Sequence, residues 1–264
     1  MITDHFLVTD QVAIVTGAGR GIGRATALAL AEAGADLVIS ARTPDQLDEV
    51  AQAVSRFGRR AVVVPADLSD LDTLPGLVQT ATTEFGRLDI VVNNVGGSFP
   101  RPLLDTSSAM FEKAFHFNVT TALELSKAAI PAMLDGEHAG GSIVNISSAI
   151  GRLTDRGFAA YGTAKAALTH LTRLMATECA PRIRVNAIAV GSTATSALDM
   201  VLTDDGLRTA MEQNTPLRRL GDPLDIALGV LYLSSRAGSY LTGKILEIDG
   251  GLNAPNLLLG LPDL

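Results

Sequence analysis

Along this chain, short β-branched runs alternate with longer stretches of helical periodicity. The runs Val12 to Val15, Leu37 to Ser40, Ala61 to Val64, Ile90 to Val92, Ser142 to Ile146, Arg184 to Ala187 and Ile245 to Ile248 predict seven strands. Their near-continuous apolar character suits parallel strands covered on both faces, and the segments between them are long enough for crossover helices. The pattern therefore predicts a doubly wound α/β fold: a seven-stranded parallel sheet with helices on both sides. Glycines mark helix ends in the expected places, at Gly34 after Ala25 to Ala33, Gly58 after Leu47 to Phe57, and Gly86 after Leu74 to Phe85. From Thr193 to Pro216 the periodicity fades while Leu198, Met200, Val201, Leu202 and Met211 keep the stretch apolar. It reads either as a mobile lid with an apolar inner face or as a helical hairpin.

With 264 residues, 47% of them hydrophobic, the chain can bury a large core, and no internal repeat or linker divides it. One domain spanning residues 1–264 is expected, with 193–216 as its lid. A net charge of −7 and a pI near 5.1 leave no basic footprint for nucleic acid, and the pairs Arg59-Arg60 and Arg218-Arg219 read as solvated turns. The single cysteine, Cys179, cannot form an internal disulfide and reads as a small buried thiol rather than a reactive one. No His/Cys cluster suggests a metal. The opening MITDHFLVTD lacks a basic start and a long apolar run, and no segment reaches the roughly 18 apolar residues of a membrane span. A soluble, cytoplasmic protein is expected. The apolar stretch from Asn256 to Leu261 packs either on a neighbouring subunit or within its own chain.

Chemistry enters through three short segments. Thr16 to Gly23 reads TGAGRGIG after the first strand and before a helix, where backbone N–H groups and the helix dipole face a pyrophosphate. Its glycines, at 17, 19, 21 and 23, depart from the common GxGxxG spacing. The second strand ends Ser40-Ala41-Arg42-Thr43, without the acid that binds an NAD ribose 2′-hydroxyl; Asp36 precedes that strand. Arg42, with Arg20, suits the 2′-phosphate of NADP, although a merely solvated arginine would read the same. Tyr161 and Lys165, four residues apart, share one face of a helix, and Ser148 lies thirteen positions before the tyrosine. Reduction of a ketone needs a proton donor for its oxygen. A free tyrosine has a pKa of about 10, and a nearby ammonium favours its phenolate. A serine hydroxyl can hold the substrate oxygen against the tyrosine.

Taken together, these residues resemble the short-chain dehydrogenase/reductase family, whose fold is of the Rossmann type, from Val12 to about Asn253. Thr16 to Gly23 matches TGxxxGxG, Asn93-Asn94-Val95-Gly96 is similar to NNAG, and Tyr161 and Lys165 match YxxxK. The resemblance implies an oxidoreductase acting on a ketone or secondary alcohol with Asn118, Ser148, Tyr161 and Lys165 as its catalytic set. In it, Asn118 holds a water of the proton relay, and Lys165 lowers the tyrosine pKa. It also implies a cofactor site of Gly17, Gly19, Arg20, Gly21, Ile22, Gly23, Arg42, Asp67, Leu68, Asn94, Gly96, Tyr161, Lys165, Val190, Gly191, Thr193 and Thr195. Asp67 and Leu68 would flank the adenine and Asn94 and Gly96 the adenosine side; Thr193 and Thr195 would meet carboxamide and phosphates. Asp67-Leu68-Ser69-Asp70 equally reads as a helix N-cap. Val190 stands where the family usually has proline, which removes a fixed φ from that loop. From Gly96 to Leu252, notably in Asn214 to Gly221, the chain is most similar to bacterial hydroxysteroid dehydrogenases and related carbonyl reductases. Phe99, Leu153, Leu198, Met200 and Met211 would make an apolar pocket, while Arg101, Arg152 and Arg156 would meet a carboxylate or face water. A 3-oxoacyl thioester reductase of the same family is the nearest alternative, although Pro131 and Thr177 stand where carrier-docking members have basic residues. A non-catalytic NADP-sensing regulator is another, and a nucleotide-sugar epimerase or dehydratase would need a larger region after Lys165. The resemblance further implies a homotetramer, with the helices around Met110–Met133 and Tyr161–Ala180 at one interface and the last strand near another.

Overall fold

Residues 1–135, 139–257 and 260 are described by the computed structural model; the side chains of Ala197 and Met200, and residues Leu258, Leu259 and Leu261 of the apolar tail, lie outside that set. Seven strands, β1 (Val12–Thr16), β2 (Asp36–Ala41), β3 (Ala61–Pro65), β4 (Ile90–Asn93), β5 (Gly141–Ser148), β6 (Ile183–Val190) and β7 (Ile245–Ile248), form one sheet in the order β3-β2-β1-β4-β5-β6-β7. Every pairing is parallel. The helices are α1 (Gly21–Glu32), α2 (Pro44–Ser55), α3 (Leu74–Phe85), α4 (Ser108–Phe115), α5 (Thr121–Met133), α6 (Ala159–Cys179), α7 (Asp199–Leu202), α8 (Asp205–Gln213) and α9 (Pro223–Ser234).

Alternation within the strands explains why each run is apolar throughout. Ala13, Val15, Leu37, Ile39, Ile90, Val92, Val144, Ile146, Ile188 and Val190 point to the layer of α1, α2 and α9, where they meet Leu30, Val50 and Val230. Their neighbours Val12, Ile14, Val38, Val91, Ile143, Ile183 and Val185 point to the other layer, against Leu77, Leu125 and Met133. A strand covered on both faces has no polar side to alternate with.

The predicted strands are all present, and several run longer than their apolar cores: β5 continues through Asn145, Ser147 and Ser148, which carry polar groups into the site. Gly86 closes α3 in the left-handed conformation. The stretch after β6 is helical, built from α7 and α8 around a small core of Val201, Met211 and Leu220, onto which Leu198, Leu202, Leu207 and Leu257 pack. Met211 is thus spent inside this subdomain and does not line a pocket, and Leu257 makes its contact within the chain. Of the two arginine pairs, Arg60, Arg218 and Arg219 are exposed as expected and Arg59 is half-buried, and each has a partner. Arg59 bridges Asp36 and Asp10 at 2.7 and 3.1 Å, Arg60 reaches Glu84 at 3.1 Å, and Arg219 grips Asp225 in the first turn of α9 at 2.6 Å. Arg218 donates to the Gln213 carbonyl. Acidic partners supplied from elsewhere in the chain were invisible to local sequence.

Candidate active site

Parallel strands deliver their C-terminal ends to one edge, and between β1 and β4 the strand order reverses, opening the crevice where ligands of such sheets bind. The glycine turn sits at the end of β1. Gly17 and Gly21 adopt φ of +64° and +53°, conformations that glycine enters without penalty. A Cβ on Gly23 would drive into the Gly17 carbonyl and approach Asn94 Nδ2 to 2.7 Å. Thr16 Oγ1 donates to the Val92 carbonyl and accepts from the N–H groups of Asn94 and Val95 at 2.9 and 3.2 Å. Asn94 Nδ2 donates to the carbonyls of Thr16 and Gly17 at 2.9 and 3.3 Å. The amide of Asn94 is therefore occupied in bracing the turn, while its neighbours Ile22 and Gly19 pack at the start of α1 and against Gln46. Arg20 is the exposed N-cap residue of α1.

Arg42 stands exposed just beyond β2. Asp67 accepts from the backbone and hydroxyl of Ser69 at 3.0 and 2.8 Å, and these bonds, aided by the charges of Arg42 and Lys113, hold its carboxyl below the usual range. The residue that caps the following helical turn is Asp70 rather than Asp67. Leu68 is buried in the core, which leaves only its backbone to face a ligand. On the opposite side of the crevice Val190 completes β6, pairing with Ser148 and Ile248. Gly191 packs so closely on the next segment that a Cβ would lie 2.5 Å from Asp249 Cα. Thr195 reaches the glycine turn, its methyl 3.2 Å from where a Gly21 Cβ would be, whereas Thr193 is buried against Gly221.

The four residues of the predicted catalytic set come from β5, α6 and a π-helical turn at His116–Thr120 between α4 and α5. Ser148 lies beside the Tyr161 hydroxyl, near enough to act on its ionisation. Ser147, its neighbour, is buried and donates to the Lys165 carbonyl at 3.1 Å, which anchors α6 to the sheet. Lys165 is 3% exposed, and its Nζ donates to the Ile146 carbonyl at 2.9 Å and lies 5.7 Å from the centre of the Tyr161 ring. Asn118 is fully buried; Nδ2 donates to the carbonyls of Gly97 and Ala114 at 3.0 and 2.8 Å, and Oδ1 accepts from Gly97 N–H at 2.9 Å. Gly96 lies beside Asn118 and Lys165, at the reacting end of the crevice.

The family model described as enoyl-(acyl carrier protein) reductase, one of the short-chain dehydrogenase type, matches residues 17–253. The chain belongs to the short-chain dehydrogenase/reductase family. An uncharacterized oxidoreductase of Mycobacterium tuberculosis is 58% identical to this dehydrogenase over 265 residues, covering 100% of each chain. A solved 7α-hydroxysteroid dehydrogenase complexed with NADH and 7-oxo glycochenodeoxycholic acid is 37% identical, covers 94% of this chain and 96% of its own, and superposes with a TM-score of 0.89. A Pseudomonas aeruginosa RhlG/NADP active-site complex is 32% identical, covers 94% and 98%, and superposes with a TM-score of 0.87.

In this dehydrogenase the electrostatics depart from one expectation. Burial raises the Tyr161 pKa, offset only in part by Ser148, whereas the sequence suggested that Lys165 would lower it. The cause is the tyrosine's own burial; Lys165 is buried as well, which pushes its pKa down to about 8, and its ammonium donates to the Ile146 carbonyl. The Asn118 side-chain amide is bonded to backbone groups of Gly97 and Ala114.

Lys165 thereby makes stability depend on pH. Below pH 8 it is charged in both folded and unfolded chains, and the fold bears the full desolvation cost. Between about 8 and its ordinary 10.5 the unfolded chain binds more protons, so stability rises with pH, until Tyr161, with its raised pKa, opposes the trend above 10. We expect Lys165→Met to raise the denaturation midpoint at pH 7 and the difference from wild type to shrink by pH 9.5. A constant difference across that range would show that the lysine is not buried as a cation.

Ser147 and Gly97 join the site without a role from the sequence, and Thr16, marked only as the start of the glycine motif, braces the turn. Thr16 and Ser147 look like ordinary strand-end hydroxyls, and their partners lie 76 and 18 positions away. Arg152, left open between a substrate carboxylate and water, instead pairs with Asp249 and, at 3.1 Å, with Glu247. Among the described residues no helix is long and apolar enough to cross a membrane.

Proposed function

We propose that this dehydrogenase transfers hydride between NADP(H) and a ketone or secondary alcohol on a molecule with considerable apolar surface, with Tyr161 as general acid/base. The observation that carries the reading is that the fold brings Ser148, Tyr161 and Lys165 together, Ser148 acting on the tyrosine hydroxyl and Lys165 Nζ lying 5.7 Å from its ring, with Gly96 beside the lysine. The residues present fit a dinucleotide: the turn offers backbone N–H groups at the start of α1, glycines where side chains would intrude, and Thr195 beside Gly21. Bound nicotinamide supplies or accepts the hydride. In reduction, Ser148 holds the carbonyl oxygen, and Tyr161, protonated at neutral pH, donates the proton as the oxygen gains charge. In oxidation the same hydroxyl must first lose its proton, so that direction gains with rising pH. Lys165 stands by the ring as the nearby cation, and Asn118 acts by clamping the Gly96–Gly97 loop.

Preference for NADP follows from Arg42, exposed at the end of β2, with Arg20 across the turn, and from Asp36 being tied to Arg59. Loss of a charge-assisted contact to a 2′-phosphate costs roughly ten- to a hundredfold in affinity, so Arg42→Ala should weaken NADPH binding by about that factor and leave NADH nearly unchanged. Equal losses for both, read by fluorescence titration, would remove Arg42 from the phosphate site. The apolar substrate is supported by Phe99, Leu103 and Leu104, exposed on the loops beyond β4. A homotetramer in the cytoplasm completes the reading; exposed Met110, Phe111 and Phe115 on α4 and Leu174 on α6 give its helices an apolar face.

The test is turnover. Purified protein is incubated with NADPH, and separately NADH, against ketosteroids, acyl thioesters and simple aromatic ketones, and loss of reduced-nicotinamide absorbance is followed. Faster turnover of apolar ketones with NADPH is expected. Activity confined to acyl thioesters would move the substrate to that class, and cofactor binding with no turnover across the panel would favour a sensing role.

A further inference from the structure

The lid has two feet. One is Ser192, directly before the buried Thr193; the other is Thr215, two residues past the end of α8. The backbone ties the first foot to the loop that follows the second, since Gly221 N–H donates to the Ser192 carbonyl at 2.9 Å and Ala194 N–H to the Gly221 carbonyl at 2.8 Å. One side chain from a third segment joins the two feet. Asn256, beyond β7 and only 5% exposed, accepts from Ser192 Oγ at 2.9 Å through Oδ1, while its Nδ2 donates to Thr215 Oγ1 at 2.8 Å and to the Met211 carbonyl at 3.4 Å. Thr215 Oγ1 in turn donates to that carbonyl at 2.8 Å, closing the last turn of α8, and Asn214 Nδ2 donates to the Asn256 carbonyl at 3.3 Å. Leu257, the next residue, packs on the lid core.

The segment that presents Asn256 is itself held at the reacting end. Asp249, its first residue, accepts from the N–H groups of Gly251 and Leu252 at 2.9 and 3.3 Å and pairs with Arg152, four residues after Ser148. Arg152 also donates to the Leu252 carbonyl at 2.6 Å, and Gly250 accepts from Leu217 N–H at 3.1 Å. A short strap, Asp249 to Leu257, thus connects the loop after Ser148, the loop at Gly191 and both feet of the lid.

We propose that Asn256 is a positioning residue for substrate binding: its buried amide clasps the two feet of the lid and sets where the lid sits over the crevice. The proposal rests on the dehydrogenase reading for its substrate, but the clasp does not. A buried amide has no water to turn to when a partner is lost, so each bond broken here frees a group that must find a new position. Asn256→Asp keeps the acceptor for Ser192 and removes both donors to the lid; Ser192→Ala removes the other half; Asn256→Ala removes all of it.

Hydrogen exchange on the full-length variants, without substrate, reads the clasp directly. Loss of one such bond corresponds to about tenfold in an opening equilibrium, so amides in 199–213 should exchange about tenfold faster in Asn256→Ala and Asn256→Asp, with those of β5 unchanged. With a substrate from the panel, the same variants should show KM raised about tenfold and kcat within about twofold of wild type, because a loosened lid binds less tightly while Tyr161 and Ser148 stay in place. A general structural role predicts the reverse, a smaller active fraction with lowered kcat and unchanged KM. Exchange in 199–213 equal to wild type, or raised evenly across the sheet, overturns the proposal. Hydrogen exchange needs no turnover, so it tests the clasp even where the dehydrogenase reading fails.

Discussion

Tyr161→Phe is expected to lower kcat by about a thousandfold or more while NADP(H) still binds, because general acid–base catalysis contributes roughly a hundred- to ten-thousandfold and this hydroxyl is the proton donor of the proposed reaction. The substitution removes one oxygen and leaves the ring, which packs 6.4 Å from Phe158, in place. Ser148 does not lose its footing, since its Oγ still accepts from Ile150 N–H at 3.3 Å at the start of the next turn. The denaturation midpoint should therefore shift little, and a loss of turnover reports chemistry rather than unfolding. Steady-state turnover and fluorescence titration of the cofactor check both halves. Turnover within tenfold of wild type would remove Tyr161 from the reaction, and lost cofactor binding would assign the residue to the nucleotide site instead.

Gly96→Ala should cost nearly as much by a different route. A Cβ there would lie 2.6 Å from Asn118 Oδ1 and 2.8 Å from Lys165 Nζ, distances that real Cβ atoms do not reach. Asn118 is held by three hydrogen bonds to backbone groups and Lys165 by one to Ile146, so the lysine yields first. It is buried, and moving its ammonium breaks the hydrogen bond to the Ile146 carbonyl that offsets its desolvation. A displacement of about 1 Å at a reacting centre can lower turnover on the order of a hundredfold, and that is the loss expected in kcat. Gly76→Ala, on a helix with nothing within 4 Å of the new Cβ, is the control and should keep full activity. If Gly96→Ala matched it, the contact among Gly96, Asn118 and Lys165 would be irrelevant to catalysis.

How much of this was legible beforehand differs between fold and site. The apolar runs announced the seven strands because a strand buried on two faces must be apolar at consecutive positions, a local property of the chain. The glycine turn was legible for a similar reason: positive φ and close backbone approach select glycine whatever surrounds them. The i, i+4 spacing of Tyr161 and Lys165 likewise needed only a helix to put them on one face. Where the strands and turns ended was less clear, since polar residues such as Asn145 and Ser147 lie within β5 and break its apolar signature.

The energetics of the site could not be read in this way. That Tyr161 is pushed up rather than down, that Lys165 is itself near pH 8, and that the Asn118 amide is consumed by the Gly97 backbone all depend on burial and on partners from distant segments. Arg152 was open between a substrate carboxylate and water until Asp249 and Glu247 arrived from β7 and the turn beyond it, and Met211 looked like a pocket wall until α7 packed on it. The sequence by itself determined the strands, the glycine turn and the helical spacing of Tyr161 and Lys165, because periodicity and backbone conformation are short-range. Only the tertiary structure decided which charges are paired, which hydroxyls are anchors and which partners Asn256 holds, because desolvation and hydrogen bonding are properties of neighbours that the order of residues does not place together.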